Sequence, residues 1–402
     1  MSVLFSWRDA VVCSGAFFAI ATEALIGLLL PLLALHQQLS PTELGLLVAA
    51  GSIGPILFAL PGGALCDYFG DRKMMTASAI GVLASTIGYT QFSQFSALFM
   101  VALVGGLFRG VSWVATQSYA LGYVSADRRQ KFMGQFSFVA GMGMLVTPLI
   151  AGWLVEHVHL HSGFYFMAFW GGMVALVAAL LPEIPKSTVS EPGGNGRKPI
   201  GTVLVAGYRD ALPLLARPAI VLIMAFTLLR LAAAAINSSF YPVHLDQVGI
   251  KVVVIGQLFA LIHVGTSAGT LISAQLGRLL STGSVLGFSV ALSLVSIAAV
   301  PFFDSLLPIA VLTLLHGVGQ GISLPQILAA LGRHSDASER GLVLGMRSMF
   351  NRTGYLVVPV MLGLMAEQAG LKTAFVVVGG LLLALVIPAT VALVTLDSAD
   401  HN

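Results

Sequence analysis

The chain has 402 residues, of which 57% are hydrophobic and only 9% are charged, and its formal net charge is +3. Soluble domains carry roughly 25% charged residues, so this composition excludes an ordinary soluble protein and indicates a surface that faces lipid. The two cysteines, Cys13 and Cys66, form neither a disulfide framework nor a zinc pattern. We expect an integral membrane protein with no nucleic-acid partner, no metal site and no cofactor.

Apolar runs long enough to cross a bilayer follow one another along the whole chain. A spanning helix needs about 20 mostly apolar residues, and twelve such runs are present. They are predicted to begin near Val11, Leu44, Met74, Ala97, Phe132, Gly163, Arg217, Val253, Ser284, Leu306, Val343 and Thr373. The first run is expected to be retained as a span and not removed as a signal peptide. The predicted fold is an all-α membrane protein of twelve transmembrane helices.

Nine identities recur along the chain at one constant offset of 211 residues. They are Pro31/Pro242, Gly45/Gly256, Leu65/Leu276, Gly106/Gly317, Gly110/Gly321, Arg129/Arg340, Gly134/Gly345, Pro148/Pro359 and Gly152/Gly363. Many of them are Gly and Pro, which set local backbone geometry, so the repeat predicts two pseudo-symmetric six-helix halves. We place these halves at residues 1–182 and 217–402, with a cytoplasmic linker at 183–216. Hydrophobic chains built from two such copies are typical of secondary transporters.

Basic residues orient the predicted spans. The N-terminus and the even-numbered connections hold fourteen Lys and Arg residues, whereas the odd-numbered connections hold only Lys251 and Lys372. Because basic loops stay on the cytoplasmic side, both termini and the linker are predicted to be cytoplasmic, which is typical of a multi-pass protein of the bacterial cytoplasmic membrane. Within the linker, residues 200–215 fit either a short helix on the membrane surface or a plain connection.

The segment after the second span reads GALCDYFGDRK. It resembles the signature of the major facilitator superfamily, in which Gly-x-Leu-x-Asp is followed, two residues later, by Gly-x-Arg-Lys. The resemblance implies that family's twelve-helix fold and a cytoplasmic gate made by Gly63, Asp67, Gly70, Arg72 and Lys73. The basic pair can meet acids such as Asp127 or Glu339. Simple retention of basic residues on the inner side is the alternative.

Span five carries a second motif, with Gly143, Pro148 and Gly152. It looks like the antiporter signature of the same family, although Thr147 and Ala151 stand in place of two glycines. The resemblance implies export, and a packing motif without directional meaning is the alternative. A proline inside a span frees a backbone carbonyl and permits a bend. We therefore predict hinge or packing roles for Pro148, Gly152 and Pro359.

Five ionisable side chains other than histidine lie well inside the predicted spans, namely Glu23, Arg109, Arg230, Arg347 and Arg352. Each costs on the order of 3 kcal/mol at the bilayer centre, so we expect each to face a water-filled cavity or a partner. Glu23, Arg109 and Arg230 are predicted near the midplane. Arg347 lies nearer the cytoplasmic end and is assigned to the gate.

Helical spacing groups further polar side chains with these charges. The shared faces are Arg230 with Asn237 and Tyr241, His316 with Gln320 and Ser323, His263 with Ser267 and Thr270, and Arg347 with Asn351. Arg352 is expected to point away from the Arg347 face. The expected substrate-binding residues are Arg109, Arg230, Asn237, Tyr241, His263, His316, Gln320, Asn351 and Arg352. Purely structural roles stay open for the histidines and for some of the arginines.

Glu23 is the one carboxylate predicted near the midplane. Burial favours its protonated form and a nearby Arg favours its ionised form, so we predict that it couples transport to protons; a static ion pair is the alternative. The surplus of Arg predicts an anionic or amphiphilic substrate.

The expected function is proton-coupled export of a small organic compound by a monomeric secondary transporter that works by alternating access. Efflux of lipophilic cations and import of an anionic metabolite remain alternatives. The sequence contains no hydrolase or metalloprotease motif and no phosphate-binding loop of an ATP-driven pump. We therefore expect no enzymatic activity.

Overall fold

The computed structural model describes residues 6–125, 127–183, 207–336 and 339–399. No strand occurs within these ranges. The helices, numbered in chain order, are α1 (Trp7–His36), α2 (Pro41–Ala59), α3 (Gly62–Phe69), α4 (Asp71–Gln91), α5 (Phe95–Tyr123), α6 (Arg129–His157), α7 (Leu160–Leu180), α8 (Pro218–Asn237), α9 (Tyr241–Gln247), α10 (Val252–Leu279), α11 (Thr282–Ala299), α12 (Leu306–Arg333), α13 (Arg340–Ala369) and α14 (Leu371–Ala399).

Eleven spans in the described ranges, with α8 and α9 taken together, are long and apolar enough to cross a membrane. The helix α4 has the required length of 21 residues, but it is less apolar because Ser, Thr and Gly interrupt its aliphatic residues. With α4 the number of spans is twelve, and the predicted all-α fold is confirmed. The helix α1 begins four residues before the predicted Val11, and the other spans begin closer to their predicted starts.

Local sequence explains where the first two spans begin. The Ser6 hydroxyl accepts a hydrogen bond from the backbone N–H of Asp9, and the Asp9 carboxylate accepts one from the backbone N–H of Ser6. Ser40 and Glu43 make the same pair of bonds at α2, with Pro41 at its first helical position. These capping boxes satisfy N–H groups that have no partner inside the helix.

The 211-residue repeat is also a repeat of helix contacts. In the first half, a Cβ added to Gly106 on α5 would collide with the backbone carbonyl of Gly51 on α2. In the second half, a Cβ on Gly317 of α12 would collide with the carbonyl of Ile262 on α10. Gly51 and Ile262 are themselves 211 residues apart. The same two helices therefore cross at the same point in each half, and only glycine lets their backbones approach so closely.

Replacing Gly106 with Ala is expected to destabilise the protein by about 1–3 kcal/mol, because the added methyl group overpacks the crossing of α2 and α5. The measurement is thermal unfolding in detergent. The matched control is Gly134→Ala on α6, where a Cβ meets no atom within 4 Å and Ala is the better helix former. If the Gly106 variant unfolds at or above the parent temperature, the crossing is looser than described.

The two halves meet through α2 against α13 and through α6 against α10. Gly45 lies against the carbonyl of Pro359, and its repeat partner Gly256 lies against the carbonyl of Pro148. Gly152 faces Gly256 across the second of these interfaces. The residues predicted to act as hinge or packing points thus lie where the halves touch, and any bending at the prolines stays a prediction.

The described part of the linker packs on the first half. Residues 207–211 are helical and lead into the 3₁₀ turn Leu212–Ala216. The Tyr208 hydroxyl donates to the carbonyl of Leu57 at the end of α2, at 2.9 Å. Of the two alternatives for residues 200–215, this favours a short helix, while residues 200–206 lie outside the described ranges.

Candidate functional site

A cavity of about 230 Å³ lies between the two halves. Its wall is apolar apart from a small group of charged and polar side chains. That group is Glu23, Ser52, Arg109, Ser238, Asn351, Arg352 and Tyr355. Glu23 and Arg109 come from the first half, whereas Asn351, Arg352 and Tyr355 come from one stretch of α13. A cavity with apolar walls and a few convergent polar groups is typical of a small-molecule site.

Glu23 stands between two arginines from opposite halves. Its Oε1 accepts a hydrogen bond from Arg352 Nη2 on α13 at 2.8 Å, and its Oε2 lies 3.7 Å from Arg109 Nε on α5. The Glu23 side chain is 16% exposed, that of Arg109 4% and that of Arg352 27%. All three are therefore largely withdrawn from solvent, and one carboxylate offsets two guanidinium groups. The group carries a net positive charge and bridges the halves.

Arg109 has buried donors that make no full hydrogen bond, although its Nε is ion-paired with Glu23. Its Nε and Nη1 are buried and find no hydrogen-bond acceptor within the described ranges. The buried Oδ1 of Asn351 likewise lacks a donor among the described residues. Buried polar groups normally have partners, and an unpaired one is costly. Both residues line the cavity, so these unsatisfied atoms lie next to the space that a ligand would occupy.

The cavity wall follows the repeat in shape but not in charge. Three pairs of lining residues are repeat partners separated by 211 residues, namely Ile20 and Leu231, Gly27 and Ser238, and Met144 and Tyr355. Gly27 also lies directly against Ser238, so the pseudo-two-fold axis passes through the cavity. The charges break this symmetry, because the repeat partners of Glu23 and Arg352 are Ala234 and Gly141. The asymmetric charges suit one orientation of a bound ligand.

Three of the expected substrate-binding residues lie together away from the cavity wall, inside the second half. Arg230 Nε donates to Ser323 Oγ at 3.0 Å and to the Gln320 carbonyl at 3.3 Å. Gln320 Nε2 donates to the Arg230 carbonyl at 2.8 Å and to Ser293 Oγ at 2.9 Å. His316 Nδ1 is 2.9 Å from the same Ser293 hydroxyl. This network joins α8, α11 and α12, so Arg230, Gln320 and His316 hold helices together.

The polar face expected to contain Asn237 and Tyr241 is interrupted in the structure. The helix α8 ends at Asn237 and Tyr241 begins α9, so a face drawn through one continuous helix was wrong for Tyr241. The Tyr241 hydroxyl instead bonds the Thr313 hydroxyl on α12. Asn237 is buried and His263 half-buried, and neither lines the cavity.

The cavity separates Arg347 from Asn351, which were expected to share a face. Arg352 lines the cavity together with Asn351, whereas Arg347 is half-buried away from the cavity wall. Tyr355, Ser52 and Ser238 also line the cavity and were not among the predicted residues. For Tyr355 a signal existed, because it lies three residues after Arg352 and therefore on the same side of α13.

The predicted gate occupies the face of the bundle where α1, α4, α6 and α8 begin, which we call the basic face. Gly70 links α3 to α4 with a φ of 90°, a conformation that favours glycine. Arg72 Nη2 donates to the carbonyl of Ala179 at the end of α7, at 3.4 Å. Lys73 is exposed, while Gly63 and Asp67 lie on α3.

Glu339, expected as a partner of the basic pair in the gate, binds Arg217 instead. Two hydrogen bonds of 2.7 Å join the carboxylate to the guanidinium, which ties the start of α13 to the start of α8. The Arg217 guanidinium lowers the pKa of the Glu339 carboxyl below its ordinary value, because these bonds favour the charged form. The other expected acid, Asp127, has its pKa lowered chiefly by a hydrogen bond from Ser125.

A family model described as Major Facilitator Superfamily matches residues 12–283 and 227–402. Quinolone resistance protein NorA of Staphylococcus aureus (strain MRSA252) is 25% identical over 168 residues, which span 41% of this chain and only 43% of that protein. An uncharacterized MFS-type transporter of Methanocaldococcus jannaschii is 23% identical over 87% of this chain and 89% of its own length.

Solved structures of transporters share the fold. A mutant of nucleoside transporter NupG aligns with a TM-score of 0.81 at 13% identity, over 96% of this chain and 99% of that one. A D-xylose-proton symporter aligns with a TM-score of 0.74 at 15% identity, over 96% and 97%. At these identities the likeness concerns the fold alone.

Proposed function

The chain belongs to the major facilitator superfamily, whose members are transporters and not enzymes, and from this premise we propose that it exports a small anionic or amphiphilic organic compound in exchange for protons. It is an integral membrane protein and a secondary transporter. The substrate class, the proton coupling, the direction and a monomeric state are our proposals. The placement of both termini in the cytoplasm of a bacterial cell is also our proposal.

The observation that carries the proposal is the position of Glu23 between Arg109 and Arg352. Protonation of Glu23 would remove the negative charge that both arginines face, and with it the strongest polar contact between α1 and α13. A proton taken up in the cavity would thereby change how firmly the halves hold each other. That is the coupling which a proton-driven rocking transporter requires.

The charge of the group supports an anionic ligand. Two guanidinium groups face one carboxylate, and Arg109 Nη1 is buried without a hydrogen-bond acceptor among the described residues. Arginine binds carboxylate and phosphate through paired hydrogen bonds. The aliphatic wall formed by Ile20, Ile26 and Leu231 suits an apolar body attached to the anionic group. A lipophilic cation fits less well, because both oxygens of Glu23 already face arginines.

Export is supported by the resemblance at Gly143–Gly152 and by the partial similarity to a quinolone resistance protein. Exchange requires the substrate and the proton to compete. A substrate with both a carboxylate and an ammonium group meets that requirement. Its carboxylate would draw Arg352 away from Glu23 and leave Glu23 Oε1 for the ammonium group, and protonation of Glu23 would weaken that ammonium contact.

A second candidate, import of a simple anion together with a proton, is favoured by the 2.8 Å bond between Glu23 and Arg352. Ionised Glu23 competes with an incoming anion for Arg352, whereas protonated Glu23 releases it. A proton and a simple anion would then bind together. This is the alternative of an anionic-metabolite importer.

The test is a thermal-shift screen of the purified protein in detergent, followed by affinity measurements as a function of pH. A ligand at about 100 times its Kd stabilises by about 2.7 kcal/mol. We expect carboxylates that also bear an ammonium group to stabilise, with an affinity that falls as the pH falls. A simple carboxylate whose affinity rises as the pH falls would establish cotransport instead. Stabilisation by lipophilic cations alone would overturn the anion proposal.

A further inference from the structure

Two carboxylates join the halves at the face opposite the basic face, where α2, α5 and α10 begin; we call it the outer face. Glu156, at the end of α6, accepts a hydrogen bond from the backbone N–H of Val252 at 2.8 Å. Glu367, at the end of α13, accepts one from the backbone N–H of Thr42 at 3.2 Å. Each acid thus binds the first turn of a helix that belongs to the other half.

The two contacts are related by the repeat. Glu156 and Glu367 are 211 residues apart, and so are Pro41 and Val252. Val252, the first residue of α10, donates its backbone N–H to Glu156. The equivalent first residue of α2 is Pro41, which has no N–H, so Glu367 binds the N–H of the next residue, Thr42. The same contact therefore occurs in both halves, with the N–H donor shifted by one residue at α2.

The location of the acids is unfavourable for their own helices. A carboxylate in the last turn faces the negative end of the helix dipole, whereas one at an N-terminus is stabilised. Glu156 lies one residue before the end of α6, and Glu367 lies two residues before the end of α13. Their bonds to α10 and α2 supply the positive partner that their own helices lack.

The two helix starts differ in how far they depend on this help. At α2, Ser40 and Glu43 already form a capping box. At α10, the residue before the helix is Lys251, and no side chain of the α10 start caps it. Glu156 therefore supplies the side-chain cap that the N-terminus of α10 lacks, whereas Glu367 adds to the capping box already present at α2. We expect the Glu156 bond to contribute more than the Glu367 bond to holding the halves together.

Close backbone contact surrounds both bonds. A Cβ on Gly152, one turn before Glu156, would lie 2.9 Å from the Val252 carbonyl. Its repeat partner Gly363 lies in the same way against the carbonyl of Pro41. The ends of α6 and α13 cannot move away from the starts of α10 and α2 without breaking these two hydrogen bonds, because each bond joins one half to the other.

We infer that Glu156 and Glu367 form two reciprocal latches that hold the outer face closed, and that both must release before the cavity can open there. The inference rests on the rocking of the two halves, which the proposed function requires. It is independent of the substrate and of the coupling ion. A readout of geometry therefore tests the latches even if the proposed substrate class is wrong.

The experiment measures the distance between spin labels on the outer face by pulsed electron paramagnetic resonance. The label sites are Gln94 and Ser305, which are exposed, lie just before α5 and α12, and are 211 residues apart. Both are changed to Cys after the buried Cys13 and Cys66 are replaced by Ala. The variants are Glu156→Gln, Glu367→Gln and the double variant, which keep side-chain size and remove the charge.

We expect Glu156→Gln to raise the ratio of outer-open to outer-closed protein by about fivefold, as loss of a charged cap implies. Glu367→Gln should raise it less, and the double variant should show about the product of the two. The matched control is Asp246→Asn, which removes an exposed carboxylate from α9 that accepts no bond from the first half in the described ranges.

An unchanged distance distribution in the double variant would overturn the inference, as would an equal shift in the Asp246 control. High salt should mimic the double variant in the parent protein, because both bonds are exposed and ionic screening weakens them. If the double variant does not fold, the single variants decide, since each weakens one latch only. Reconstituted transport is not needed for any of these outcomes.

Discussion

The Glu23→Gln variant is expected to bind substrate as the parent protein does with Glu23 protonated, and to lose proton-driven accumulation completely. Gln keeps the size of Glu and an oxygen that can accept the bond from Arg352, now 2.8 Å long. It cannot take up or release a proton, so the contact between α1 and α13 no longer changes with pH. The measurement is accumulation of substrate in proteoliposomes under an imposed pH gradient. Binding is read separately by thermal shift.

Two further measurements identify the cause of the loss. Exchange of labelled for unlabelled substrate without a gradient should continue in Glu23→Gln, because it needs only the rocking of the loaded protein. The conservative Glu23→Asp variant should recover part of the accumulation, since it restores a titrating carboxylate. Full accumulation by Glu23→Gln would show that Glu23 is a static ion pair, the alternative that its contacts with Arg109 and Arg352 also allow.

The Arg352→Gln variant is expected to lose anion affinity by about 10- to 100-fold, the equivalent of one hydrogen bond to a charged group. Arg352 lies on the cavity wall, keeps 27% of its side chain exposed and is held by Glu23 alone among the described acids. It is therefore the guanidinium most accessible to a carboxylate or phosphate. The measurement is the Kd for an aromatic carboxylate at fixed pH and salt.

The matched control is Arg230→Gln, which removes the same charge from a residue away from the cavity wall. Its affinity should stay within about twofold of the parent value, while stability falls by about 1–3 kcal/mol because its bonds to Gln320 and Ser323 are lost. If Arg230→Gln loses affinity and Arg352→Gln does not, the anion binds within the second half and not in the cavity between the halves.

The 211-residue repeat shows how much of the fold could be predicted from the sequence. Matches such as Gly106 and Gly317 implied two equivalent halves, and the structure places each of them at the same helix crossing. The composition and the length of the apolar runs were enough to predict the twelve spans, because lipid requires an apolar surface and backbone groups that are hydrogen-bonded within the protein. Glu23 was identifiable as a cavity residue for the same reason, since a midplane carboxylate needs a partner.

What only the tertiary structure decided is which charges meet. Spacing along a helix shows which residues share a face but not which neighbour that face meets, so Arg230 was expected in the cavity and instead bonds to α12. A local break after Asn237 moved Tyr241 to another helix, and regular periodicity cannot register such a break. The pairing of Glu23 with Arg352 joins residues 329 positions apart. The bonds of Glu156 and Glu367 likewise join residues that are distant in the sequence. These contacts depend on how two rigid halves dock, which local sequence does not encode.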